Sequence, residues 1–410
     1  MERLPGRVFV LSGALAGVLI SSAPSGRQVR APVFLSILID TYNHERFIEH
    51  AIASVLEQDF PVSDYELIVV DDGSTDRTPE ILRRFSSRIR VLQKPNGGQA
   101  SAFNFGIPAC RGEVIAFLDG DDWWAQGKLR RLAALFSADP SLGFVGHSIV
   151  ESYEGGNERI VAVEELHRFR LDSVSSAEFF RLHRCFMGTS RMAIRSSVAR
   201  KLLPVPESLV FEADEFLFTL APALADAIIL PEPLTYYRLH GANLFMAPGA
   251  TADGERRKQQ VLASLASELR RALPRCGVAP EAAEVILEMV DAEAAQLRLK
   301  LDGGLSWETF QTESLLYRIQ HPAASARSKV FRGLSMIPAL LLPPRWFYSG
   351  RRWLASQAWY GRFRRSYVPL PQLAERRPVP PGTRMAKDGD CKQDSFVTPI
   401  KPPQSGNPVD

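Results

Sequence analysis

The sequence predicts an α/β protein with a mainly parallel central sheet, followed by a helical C-terminal region. Three observations carry that prediction. Short apolar runs alternate with helix-length segments through the first half of the chain. The runs are apolar almost throughout, rather than at every second residue, as in strands covered on both faces. Each run ends in polar residues suited to holding a ligand, and ligands of open α/β sheets bind beyond the carboxyl ends of the strands.

Residues 33–39 (VFLSILI) form the first expected strand, ending in Asp40, Thr41, Tyr42 and Asn43, with a helix over 46–57. Residues 66–70 (ELIVV) form the second, which runs into Asp71, Asp72, Gly73, Ser74, Thr75 and Asp76. A helix follows with Pro79 near its start, where the missing N–H costs nothing. Residues 89–92 give a short third strand, then Asn96-Gly97-Gly98-Gln99 and a helix to about Pro108. Residues 114–118 are the fourth strand.

That fourth strand lies in GEVIAFLDGDDWW (112–124) and ends in Asp119, Asp121 and Asp122. Carboxylates this close repel, so a cation is expected among them. Oxygen donors suit magnesium or manganese, which commonly bridge to substrate phosphates. Taken alone, the three residues are also compatible with a solvated acidic turn opening a helix. The same polar habit at four strand ends, all on one rim of the sheet, favours a nucleotide site. The sequence holds neither GxGxxG nor GxxxxGK[ST], so a dinucleotide fingerprint and a P-loop both lack support.

From Gly143 the pattern loosens. Residues 144–152, 159–163 and 191–195 read as strands and 177–183 as a short helix. Residues 210–220 (VFEADEFLFTL) read as a helix with Glu212, Asp214 and Glu215 at its start. Acidic residues there favour the helix dipole, and one of them is a candidate general base. Residues 227–230 and 234–239 read as two strands, the second running into His240 and Asn243. Helices are expected over 252–273, 280–299 and 307–321.

The chain has 410 residues, enough for one large domain with additions, and a net charge of +3. Charge is unevenly placed. No acid occurs between Glu313 and Glu375, where arginines alternate with leucine, tryptophan and tyrosine. That composition suits a membrane surface, which it favours over nucleic acid; a basic helical subdomain packed on the body is the other reading. The four scattered cysteines, Cys110, Cys185, Cys276 and Cys391, suit reduced thiols in a cytosolic chain. Arg3 and Arg7 precede an apolar run over 8–20, shorter than a membrane span needs. A signal, a shallow anchor and a dispensable extension all fit it, and the cytosolic chemistry favours the extension. The expected organisation is an extension (1–31), a catalytic domain (32–250), a helical region (251–325), a membrane-associating segment (326–375) and a disordered tail (376–410).

The motifs ILIDTYNHERFI, IVVDDGSTD, NGGQASAFNFG, VIAFLDGDDWW and YYRLHGAN, between Val33 and Asn243, resemble those of the family 2 glycosyltransferases of the GT-A fold. They stand in family order at family-like spacing over roughly half the chain. The resemblance implies that Thr41, Asn43, Asp72, Asn104 and Asp119 hold the nucleotide. It implies that Asp119, Asp121, Asp122 and His240 hold a divalent cation, Mn2+ or Mg2+, on the diphosphate. It places the general base at the helix start, on Asp214, with Glu215 and Glu212 behind it; EADE departs from the family's adjacent Glu-Asp pair.

The implied activity is inverting transfer of a single sugar from a nucleotide-diphosphate donor, expected to be a UDP-sugar. The acceptor is a saccharide or lipid-linked hydroxyl in cell-surface glycan or glycolipid synthesis. The enzyme is expected in the cytoplasm at the inner face of the membrane, with no nucleic-acid partner. The QxxRW motif of processive synthases is absent. Two other readings are a nucleotidyltransferase, which usually shows a glycine-rich first loop with Arg and Lys, and a binding relative without turnover.

Overall fold

Strand β1 (Leu35–Thr41) lies in the interior of the sheet. The computed structural model describes residues 33–241, 252–322, 325–357 and, for their backbone, 375–378. All of these belong to the unit Pro32–Asp410; the unit Met1–Ala31, which includes the expected extension, lies outside the described residues. After β1 come α1 (Ile48–Leu56), β2 (Tyr65–Asp71), α2 (Thr78–Arg84), β3 (Arg90–Gln93), α3 (Gln99–Ala109) and β4 (Val114–Asp119). β2 lies parallel to β1 on one side, with β3 parallel beyond it, and β4 lies parallel to β1 on the other side. The order of strands therefore reverses between β1 and β4, and a crevice opens at such a switch point. The ladder places Asp40 level with Asp119 across it. Thr41, Asp71 and Asp119 still pair within the sheet, because backbone bonding continues past the last apolar side chain.

The chain continues through β5 (Trp123–Trp124), α4 (Lys128–Ala138), β6 (Leu142–Tyr153), β7 (Glu158–Ala162), β8 (His167–Phe169) and α5 (Val174–His183). β9 (Ala193–Arg195), α6 (Ser196–Ala199), α7 (Ala213–Leu224) and β10 (Asp226–Leu239) follow. β9 fits antiparallel between β4 and β6, and β10 runs parallel to β6. Three local expectations change. The run 191–195 divides into a 3-10 turn, Thr189–Arg191, and β9. The helix expected from 210 begins at Ala213, because Glu212 sits at φ +58° and breaks helical geometry. The two strands expected over 227–239 are one strand whose register shifts around Pro233. Proline lacks the ladder N–H, so the strand continues through it by bulging.

The sheet is buried on both faces. Ile37, Ile39 and Val69 meet Ile48, Ile52, Leu129 and Phe136 from α1 and α4 on one face. Leu38, Ile68 and Phe117 meet Phe103 of α3 on the other, in a core that also takes in Leu217 of α7. The same core continues into Leu265 and Leu269 of α8 (Ala252–Arg275) and Ile286 of α9 (Pro280–Asp302). Each such buried side chain contributes roughly 2 kcal/mol.

Beyond these lie α10 (Ser306–Gln320), α11 (Ala326–Ser335), α12 (Ile337–Leu341) and α13 (Pro344–Ser356). Glu313 of α10 is 1% exposed and accepts from Gln296, Arg332 and Arg351. Met336, Ala339, Phe347 and Tyr348 pack on Leu299. The basic aromatic segment is thus docked on the helical region. It leaves Val330, Leu334, Leu341 (74% exposed) and Trp346 (70%) in solvent. No described helix is long and apolar enough to cross a membrane. Finally, β11 (Glu375–Pro378) pairs antiparallel with β7. Residues 376–378 thus form a strand and not part of a disordered tail, a correction to the expected boundary. Edge pairing uses only backbone groups and leaves no side-chain pattern to read. The rest of that tail lies outside the described residues.

Candidate active site

A cavity of about 950 Å3 lies at the switch point, beyond the carboxyl ends of β1, β2 and β4. Every residue expected in the site lines it except Asn104. The Asn104 side chain donates to the Val205 carbonyl (2.8 Å) and accepts from the Val205 N–H (2.7 Å). Asn104 therefore pins α3 to the chain before α7, and the expectation that it lines the nucleotide pocket is corrected. Both ends of its amide are already used by backbone groups. Asn243 lies outside the described residues.

The floor is held by short polar contacts. Asp72 accepts from Lys94 Nζ (2.6 Å), from the backbone N–H groups of Gly97 (3.0 Å) and Gly98 (2.7 Å), and from Asn96 Nδ2 (3.2 Å). Gly98 is needed there: its φ is +83°, and a Cβ would meet the Val210 carbonyl oxygen at 2.5 Å. Asn43, at φ +56°, accepts from the Thr75 N–H (2.8 Å), while its own N–H donates to Ser74 (2.9 Å). Thr41 Oγ1 lies 3.2 Å from His44 Nδ1, and burial pushes that imidazole below its usual range.

The carboxylates crowd one corner. His240 Nε2 lies 3.1 Å from Asp121 Oδ2. Burial raises the Asp121 carboxyl, but the His240 hydrogen bond and the nearby imidazoles outweigh it and hold the group below its ordinary value. Burial and then Asp40 and Asp121 push Asp119 well up. Burial and Asp121 push Asp122 to about 7. Asp122 Oδ1 accepts from the Arg238 N–H (2.8 Å), while its Oδ2 is buried with no hydrogen-bond partner. Among the described residues, no three His, Cys, Asp or Glu side chains converge as a ready cage for a metal. The residues nonetheless fit a divalent ion held by one or two carboxylates and completed by diphosphate oxygens. The donors are hard, mutually repelling and include an orphaned buried oxygen.

The helix-start carboxylates have different surroundings. Asp214 Oδ2 accepts from the Thr189 N–H and Oγ1, both at 2.9 Å. Glu215 is ion-paired to Arg184 at 2.6 Å, and Arg184 also reaches Glu293 of α9 at 2.7 Å. Both oxygens of Glu212 are buried without a hydrogen bond, and Lys258 lies 3.8 Å away. Asp214 is thus the one fixed in place by donors from a neighbouring turn.

That turn, Thr189–Arg191, was not read from the sequence. Ser190 accepts from the Asp119 N–H (3.0 Å) and donates to Asp119 Oδ2 (3.3 Å). Gln99 donates to Thr189 Oγ1 (3.1 Å) and accepts from the Ala213 N–H (2.9 Å), joining α3 to the start of α7. Lys128, fully buried, donates to the Ser190 carbonyl (2.8 Å) and Thr235 Oγ1 (3.0 Å); burial holds its amine well below the usual range. A lysine on the apolar face of α4 is the one signal the sequence offered for this support.

A sequence profile described as "Glycosyl transferase family 2" matches residues 36–198. An uncharacterized glycosyltransferase of Nostoc sp., alr2836, is 34% identical over 234 residues, covering 55% of this chain and 71% of the relative. The poly(ribitol-phosphate) beta-N-acetylglucosaminyltransferase TarS of Staphylococcus aureus is 33% identical over 103 residues, 24% of this chain and only 18% of TarS. The crystal structure of S. aureus TarS 1–349 in complex with UDP-GlcNAc aligns with a TM-score of 0.50 at 20% identity, over 75% of this chain and 87% of that one. That last likeness is one of fold. With the family's motifs gathered on one rim of a switch-point sheet, the chain belongs to glycosyltransferase family 2 and has the GT-A fold.

Proposed function

We propose that the protein is a metal-dependent, inverting glycosyltransferase that moves one sugar from a UDP-sugar to a hydroxyl acceptor in cell-surface glycan or glycolipid synthesis. One observation carries the reading. Asp121 with His240, Asp119, and an anchored Asp214 face a single cavity at the switch point. The UDP-GlcNAc held by the TarS fragment supports the donor class.

In this reading Thr41, Asn43 and Asp72 bound the nucleotide end, while Asp119 and Asp121 stand at the diphosphate. Asp121 and Asp119 would hold the divalent cation, whose charge would neutralise the diphosphate and favour departure of the nucleotide. Asp214 accepts the proton of the acceptor hydroxyl. The hydroxyl oxygen forms its bond to the anomeric carbon as the bond to the diphosphate oxygen breaks. The electron pair leaves with the nucleotide, and attack from the opposite face inverts the anomeric centre. Thr189 and Ser190, one residue apart, fix the base relative to Asp119.

Calorimetry of UDP, GDP and dTDP with and without manganese, on wild type and Asp121→Ala, tests this. Manganese-dependent binding of UDP, lost in the variant, is expected; no binding of any of the three would overturn the reading.

The reading includes a membrane surface at the cytoplasmic side. The exposed Leu341 and Trp346, in a stretch without acids, support it. Wild type should sediment with vesicles containing phosphatidylglycerol, and Leu341→Ser/Trp346→Ser should bind about tenfold less. Equal sedimentation of the two would remove the membrane from the proposal.

A further inference from the structure

We propose that Arg191 is an acceptor-binding residue and that the acceptor carries a phosphate group close to the hydroxyl receiving the sugar. The inference rests on the reading of the cavity given above and names the class of acceptor.

The turn Thr189–Arg191 makes three consecutive residues do three things. Thr189 holds Asp214, Ser190 holds Asp119, and Arg191 presents a guanidinium to the same cavity. Gly188 shows how close the base and the guanidinium are. A Cβ there would lie 3.4 Å from Asp214 Oδ2 and 3.7 Å from Arg191 Cζ. The two opposite charges flank one point of the wall, and the guanidinium also acts on the Asp122 carboxyl.

Arg191 differs from the other arginines packed nearby. Arg181 is paired with Glu288 at 2.9 Å, and Arg184 with Glu215 and Glu293. Arg191 makes no ion pair with a described residue. Its NH1 donates to the Cys185 carbonyl, its Nε is buried without a partner, and its Cζ lies 4.9 Å from the centre of the Tyr237 ring. A guanidinium fixed against an aromatic face, with donors left over, is set up for forked bonding to a phosphate. A bound acceptor oxygen at the buried Nε would relieve an unsatisfied donor, and a charged phosphate oxygen would do so most strongly.

Glycerol 3-phosphate, which carries both a phosphate and hydroxyls, is the probe, with glycerol as its neutral control. It is titrated by calorimetry into the full chain, with and without saturating UDP and manganese. Wild type should bind the phosphate and not glycerol. Arg191→Met should weaken that binding by about tenfold or more, Arg191→Lys by less, and UDP affinity should stay within about twofold. Thermal melting of both variants confirms that they are folded.

Unchanged phosphate binding in Arg191→Met would overturn the proposal. An equal loss of UDP affinity would also overturn it, by placing Arg191 on the donor. Failure of the glycosyltransferase reading looks different. Wild type would then bind no nucleotide, while Arg191-dependent phosphate binding persisted without it.

Discussion

The two sides of the cavity are built differently. The floor is made of strand ends, and its polar residues are fixed by loops a few residues away or by neighbouring strands. Asp72, for instance, takes four donors from residues 94–98. The opposite wall is made of the turn 189–191 and the helices α7 to α9, and it is fixed by ion pairs between distant segments. Arg184 joins Glu215, 31 residues away, to Glu293, 109 residues away. Sheet topology brings the floor's residues together, and the proposed nucleotide site lies there. The wall depends on contacts between distant side chains, and the proposed acceptor site lies there.

The sharpest way to break this comparison is at the boundary between the two sides. Asp214→Asn keeps the hydrogen bonds from Thr189 possible but removes the proposed proton acceptor. Transfer should fall about 10^3-fold, within the range for a general base, with UDP affinity unchanged. Glu215→Gln should cost far less in rate, because that carboxylate is already paired. A larger loss in Glu215→Gln than in Asp214→Asn, measured as kcat with a hydrolysable donor, would move the base.

The next effect concerns stability. Arg184→Met leaves Glu215 and Glu293 facing each other without their cation. Breaking a buried pair in this way costs about 3–5 kcal/mol. Thermal unfolding should show a large drop in Tm, while UDP affinity of the folded variant stays as in wild type. A loss of UDP affinity matching the loss of Tm would mean that floor and wall are one unit, against the comparison drawn here.

The same division decides what could be read from the sequence. The four parallel strands and their polar ends were legible because apolar runs and local turns carry them. Thr41, Asn43, Asp72 and Asp119 were placed at the cavity for that reason. Asn104 was misplaced because an asparagine within a helix looks the same whether it faces a ligand or a distant backbone; here it faces Val205. The turn 189–191 was missed because Gly-Thr-Ser-Arg has no periodicity, and its importance lies in bonds to residues 71 and 25 positions away. β11 was missed because an edge strand needs no pattern of its own.

Glu212 gives the smallest effect and the finest test of the wall. Its φ of +58° turns the side chain into a buried place where neither oxygen finds a hydrogen bond. Burial, then Glu215, push its carboxyl to about 8, against the opposing charge of Lys258. The folded state therefore keeps a proton that the unfolded chain releases at about pH 4.3. Stability falls as pH rises through the window between those two values, since the native state binds the extra proton there. Glu212→Gln removes the penalty. The Tm of the variant should match that of wild type at pH 4 and exceed it by a margin that grows as pH rises to 8.5. A difference that does not change with pH would show that Glu212 is solvated or fully paired with Lys258, and that this part of the wall leaves no charge unanswered.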